Sequence, residues 1–121
     1  MDKIIQNKLG NIIISKEVIA TISGIAAMEC YGLVGMASRK MKDGISELLG
    51  RDNLTKGVEV SIEKDFTKVD LYIIVEYGTK ISEVANNVIE KVKYTLENKL
   101  DLKKVKINVI VQSVRVSNFF K

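Results

Sequence analysis

The chain has 121 residues, 19 of them Lys or Arg and 15 Asp or Glu, with one Cys, no His and a net charge of +4. That length suits one domain over residues 1–121, long enough to bury a core without a covalent staple. One thiol and no imidazole exclude an internal disulfide and a structural zinc site and leave only carboxylates, lysines and tyrosines to move protons, so no metal, cofactor or enzymatic activity is expected.

Thirteen basic and ten acidic residues follow Gly50, against six and five before it, a bias too even to announce a nucleic-acid protein. No segment approaches the roughly 18 to 20 consecutive apolar residues of a membrane span, and Met1-Asp2-Lys3 leads into no signal-peptide pattern. A cytoplasmic protein is expected, with no direct insertion into a membrane.

Residues 1–8 carry little pattern beyond Ile4 and Ile5, and Leu9 to Ile14 reads as a short β-branched strand. Ser15 is placed to cap a helix beginning at Lys16, with Glu17 favourable in the first turn. Val18, Ile19, Ile22, Ile25 and Ala26 form the expected buried stripe, and Gly24 within it signals a close contact or a bend. Gly32-Leu33-Val34-Gly35 then reads as a helix stop and strand entry, since no basic residue separates the glycines as in an RNA-clamping loop. Cys30 before it reads as a small buried apolar group.

Arg39, Lys40 and Lys42 form a cationic cluster, a candidate contact for phosphates or an acidic partner, although a solvated loop is the simpler account. Ile45, Leu48 and Leu49 suggest a short helix stopped by Gly50. Gly50 to Gly57 is no phosphate loop, because no lysine-serine or lysine-threonine pair follows. Val58 to Glu63 alternates as a strand and turns at Lys64–Thr67 into an antiparallel neighbour.

That neighbour, Lys68 to Tyr77, is the strongest periodic stretch. Val69, Leu71, Ile73, Val75 and Tyr77 project to one side, and at Gly78 the period switches to the helical spacing of Ile81, Val84, Ala85, Val88, Ile89, Val92, Leu96 and Leu100. Val105, Ile107, Val109 and Val111 follow as a last strand that reaches towards Val116 and lies parallel to the first after a right-handed crossover. The expected fold is α+β and two-layered, a mixed sheet of four or five strands with helices packed on it, in the order β-α-β-α-β-β-α-β. Gly10, Gly32, Gly35, Gly44, Gly50, Gly57 and Gly78 are read as structural.

The second face of this sheet is mixed. Tyr72, Ile74, Ile110, Val114 and Val116 stand among Asp70, Glu76, Lys106 and Gln112, and large apolar groups left in water invite association. The helix of residues 15–28 is expected to cover that face in part, with self-association as the alternative. Tyr72, Ile74, Ile110 and Val114, with Arg39, Lys40 and Lys42, are the candidate partner surface.

The blocks Gly10 to Ala20, Gly32 to Met36, Asp43 to Gly50, Gly57 to Val60, Asp70 to Ile81, Val84-Ala85 and Val105 to Val109 together resemble the alkaline shock protein family of Gram-positive bacteria. The resemblance covers about residues 8–116. Ser82 stands where relatives often have a helix-opening proline, and the long charged tails of the stress-induced members are missing, so the chain resembles a short housekeeping member. The resemblance implies a non-catalytic cytoplasmic protein of cell-envelope homeostasis that self-associates and reaches the inner face of the membrane through a membrane-anchored protein partner. It assigns no catalytic residue, cofactor or small-molecule substrate.

An interaction or scaffold module is therefore the leading expectation. The alternative is a nucleic-acid binder using Lys91, Lys93, Lys99, Lys103, Lys104 and Lys106, interrupted by Glu90, Glu97 and Asp101, with Tyr94 placed to stack on a base. An enzyme built on Asp70, Tyr72 and Glu76 is a distant third, because a solvated or paired strand face explains those residues more simply.

Overall fold

The computed structural model describes residues 2–39 and 48–116. Within them the chain runs β1 (Lys3–Asn7), β2 (Gly10–Ile14), α1 (Lys16–Met28), β3 (Leu33–Met36), a 3-10 segment (Arg51–Gly57), β4 (Val58–Ile62), β5 (Thr67–Glu76), α2 (Ile81–Lys99) and β6 (Val105–Arg115). The fold is α+β, with a mixed four-stranded sheet and a separate two-stranded ribbon.

β5 is the central strand. β6 lies parallel along it, from Thr67 beside Val105 to Glu76 beside Arg115. The other edge of β5 is shared: β4 pairs antiparallel with its first half, Val58 opposite Leu71, and β3 with its second, Met36 opposite Ile73. β3 and β4 thus meet end to end. At that joint a Cβ on Gly57 would stand 2.6 Å from the Ala37 carbonyl oxygen, so the residue there must lack a side chain. The Arg39 amide donates to the Lys56 carbonyl at 3.3 Å and closes the joint.

Both helices pack on one side of this sheet. Val69, Leu71, Ile73 and Val75 of β5 form one buried cluster with Ile19 and Ala26 of α1 and with Val84, Val88, Val92 and Leu96 of α2. Each large apolar side chain in that layer contributes roughly 1.5–3 kcal/mol as an upper figure. The α2 stripe is the one its spacing predicts, except that Ile81 at the first turn is exposed. Tyr77 is exposed too, because β5 ends at Glu76 and Gly78 turns the chain with φ +98°.

Ser15 caps α1 as expected, its Oγ accepting from the Val18 amide at 3.3 Å. The helix is rotated from the expected stripe: Ala20, Ser23, Gly24 and Ala27 are buried with Ile19 and Ala26, while Val18 and Ile25 are exposed. Small residues win the inner face because α1 sits close to the chain beneath it. A Cβ on Gly24 would stand 3.2 Å from Leu54 Cβ and 3.8 Å from Val58, so a close contact, one of the two readings of this glycine, accounts for it.

Three further expectations change. Residues 3–7 form a strand, so the ribbon β1–β2 precedes α1. Gly50 opens the 3-10 segment and does not close a helix, since Leu48 and Leu49 are not helical. Ile45 and Gly44 lie outside the described residues. The third concerns α1, which shares the side of α2, so that none of the described helices lies on the second face of the sheet. Leu48 partly covers that face, its Cδ1 lying 2.7 Å from where a Cβ on Gly35 would be.

Candidate interaction surface

The predicted partner surface does not hold together. Arg39 is tied down, its Nε donating to the Lys56 carbonyl at 3.1 Å and its guanidinium 3.4 Å from the Glu59 carboxylate. Lys40 and Lys42 lie outside the described residues. Tyr72 and Ile110 are neighbours in register on the second face and half-buried, but Ile74 on that face is wholly buried, with Gly35 as its neighbour in β3. Val114 changes sides. A bulge at Gln112 advances β6 by one residue, so Val114 pairs with Val75 and falls on the helix side. Asp70 accepts from Asn108 Nδ2 at 2.8 Å and lies 3.9 Å from Lys68 Nζ, the paired strand face that its spacing suggested.

The exposed apolar surface collects at the β1–β2 hairpin. Its strands pair antiparallel with Ile4 opposite Ile13 and Ile5 opposite Ile12. Asn7 shapes the turn, its Oδ1 accepting from the amides of Leu9 (2.7 Å) and Gly10 (3.1 Å). Ile14 is buried at the root and Ile5 packs against the core edge, but Ile4, Ile12 and Ile13 are more than half exposed and Leu9 is 99% exposed at the tip. An isolated two-stranded ribbon is at best marginally stable in water. Val18 and Ile25 on the outer side of α1 add to the apolar surface.

The edges of the strands contrast. β6, paired only with β5 among the described residues, carries Lys106, Arg115 and the bulge, all features that discourage a further strand from adding. β2, Gly10-Asn11-Ile12-Ile13-Ile14, has no charge, and its described partner is β1 alone. Sequence reading missed this surface because it found little pattern in residues 1–8 beyond Ile4 and Ile5 and placed no hairpin there. The available signal was the repeat of isoleucines on either side of Asn7 to Gly10.

The six lysines of the nucleic-acid reading separate onto two flanks of α2. Lys91 and Lys99 line a groove against α1 with Tyr94, Ile22 and Ile25, and Lys91 is ion-paired with Glu29 at 3.3 Å. Lys93, Lys103, Lys104 and Lys106 line a different concavity at the start of β6. No single basic face contains them all. Cys30 is half-buried, its thiol donating to the Ala26 and Asn87 carbonyls at 3.8 and 3.7 Å, and burial pushes its pKa up.

Among the described residues no helix is long and apolar enough to cross a membrane. What the fold defines is a small two-layer α+β domain with a projecting hairpin. The chain belongs to the alkaline shock protein 23 family, described as having a cell envelope-related function, whose model matches residues 4–116. It is 51% identical over 115 residues to the uncharacterised protein YloU of Bacillus subtilis, covering 94% of this chain and 96% of that one. The uncharacterised protein Spy1614 of Streptococcus pyogenes is 44% identical, with 93% of each chain covered. A more distant likeness, 24% identical over 93% of this chain and 63% of the other, is to a stress response regulator gls24 homologue of Streptococcus pyogenes. No solved structure matches the chain significantly.

Proposed function

We propose that this chain is a non-catalytic interaction module of the cell envelope and that the β1–β2 hairpin is its contact, both with further copies of itself and with a membrane-anchored protein partner. The observation that carries the reading is the solvent exposure of Ile4, Leu9, Ile12 and Ile13 on a ribbon whose β2 edge bears no charge. An open strand edge offers main-chain donors and acceptors to an added strand, and flanking apolar side chains supply the burial that holds it. The envelope-related description of the family and the lack of a charged guard on β2 support the same role. On this reading the protein works at the inner face of the membrane without entering it.

Sedimentation over a wide concentration range tests the self-association, and site-directed crosslinking from Ile13 in the native cell tests the partner. Concentration-dependent association and a crosslinked envelope protein are expected. A strict monomer at high concentration together with no hairpin crosslink overturns the proposal.

A further inference from the structure

The concavity beside the end of α2 has a composition that the hairpin does not explain. It is open to solvent, has a volume of about 390 Å³ and draws Lys93 from α2, Lys103 and Lys104 from the following turn, Lys106 from β6 and Phe66 from the turn between β4 and β5. Glu97 is the one acidic residue on its wall. None of the four lysines makes an ion pair with a described residue, although ion pairs occupy Lys68 and Lys91 elsewhere. Lys106 Nζ stands 5.7 Å from the centre of the Phe66 ring, a cation–π contact that orients its ammonium at the rim. Four like charges against one carboxylate repel one another, and their fields add over the concavity.

We propose that this concavity binds a small anion bearing two or more phosphate groups. Each ammonium is a compact point charge with three donors, suited to phosphate oxygens, and the site has no arginine fork to favour planar carboxylates. The net positive charge of the wall, three after Glu97 is counted against the four lysines, calls for a ligand of comparable negative charge. The extent of the field limits the ligand's size. Lys91, Lys99 and Tyr94 lie on the opposite flank of α2, so the stacking aromatic and two of the six lysines of the nucleic-acid reading are absent from this wall. The same phosphate chemistry is presented by a free metabolite or by a lipid headgroup, and the hairpin proposal has no part in the argument.

The test is a titration of the full chain with inorganic pyrophosphate at constant ionic strength, followed by amide shifts in NMR spectra. Saturable shifts centred on Phe66, Lys93 and residues 103–106 are expected. Replacing Lys93, Lys103 and Lys104 together by glutamine is expected to weaken binding by about tenfold or more, since hydrogen bonds to charged groups contribute on that scale. The Lys91→Gln, Lys99→Gln pair is expected to leave it unchanged. A second arm measures co-sedimentation with phosphatidylcholine vesicles with or without cardiolipin, whose headgroup carries two phosphates. Pyrophosphate binding without vesicle binding assigns a free ligand, and lysine-dependent vesicle binding assigns a lipid phosphate. Unsaturable shifts spread over all exposed lysines with no vesicle binding overturn the proposal, as does tighter binding of an oligonucleotide that depends on Lys91 and Lys99.

Discussion

Two glycines near the strand joint show how much a single Cβ decides. Gly57→Ala would force a methyl group against the Ala37 carbonyl at 2.6 Å and Met36 Cβ at 3.2 Å, where two strands meet and neither can withdraw. A loss of about 1–3 kcal/mol is expected in urea unfolding, the scale of an overpacked core. Gly50→Ala meets nothing within 4 Å at φ −76°, and a gain of about 0.4–1 kcal/mol is expected because the unfolded chain loses freedom. The sequence marks both positions as structural without separating a close approach from an open turn, since that difference depends on a residue 20 positions away. Cys30 gives a pH prediction. Burial raises its pKa above the ordinary 9.0, so iodoacetamide alkylation should lag that of a free thiol and climb only at higher pH. The folded state holds this proton more tightly than the unfolded one. The associated stability is therefore complete below the unfolded pKa and is lost as pH rises through the folded one.

At the scale of elements, α2 was the most legible part of the chain and α1 among the least. Both show helical spacing, but Val84, Val88, Val92 and Leu96 are large residues facing a sheet, so bulk and burial coincide. Leu96→Ala should cost about 2–5 kcal/mol in denaturant unfolding, whereas exposed Tyr94→Ala should stay within about 0.5 kcal/mol. In α1 the close approach to Leu54 and Val58 selects small residues, and spacing read from bulk alone turns the helix the wrong way. Val114 was misplaced in the candidate surface for a related reason. Strand parity carried Val114 to the second face until the bulge at Gln112 reversed it, and a one-residue register shift leaves no mark in the composition. The hairpin supplies the matching prediction: Ile12→Thr with Ile13→Thr should suppress concentration-dependent association while leaving the unfolding midpoint of the monomer nearly unchanged, because both side chains are already exposed.

Across the whole molecule, protection is graded from a buried middle to a lightly held margin. β5 is bonded on both sides and packed beneath two helices, while β1–β2 is rooted mainly through Ile14 and the edge contact of Ile5. Native-state hydrogen exchange should be slowest at the amides of Val69 to Val75 and of the middle of α2, and fastest in the hairpin. Equal protection of the two regions would mean that the ribbon is covered even in the free protein. The bridge between Ala37 and Leu48 has its own corollary. The chain passes β3 and is held beside it again there, the Leu49 amide donating to the Met36 carbonyl at 2.9 Å, so the stretch between Arg39 and Leu48 is a detour whose two ends the sheet already fixes. Doubling such a detour costs only about 0.6 kcal/mol in closure entropy. A reporter domain spliced into it should be carried as a passenger, with the host still folding beneath.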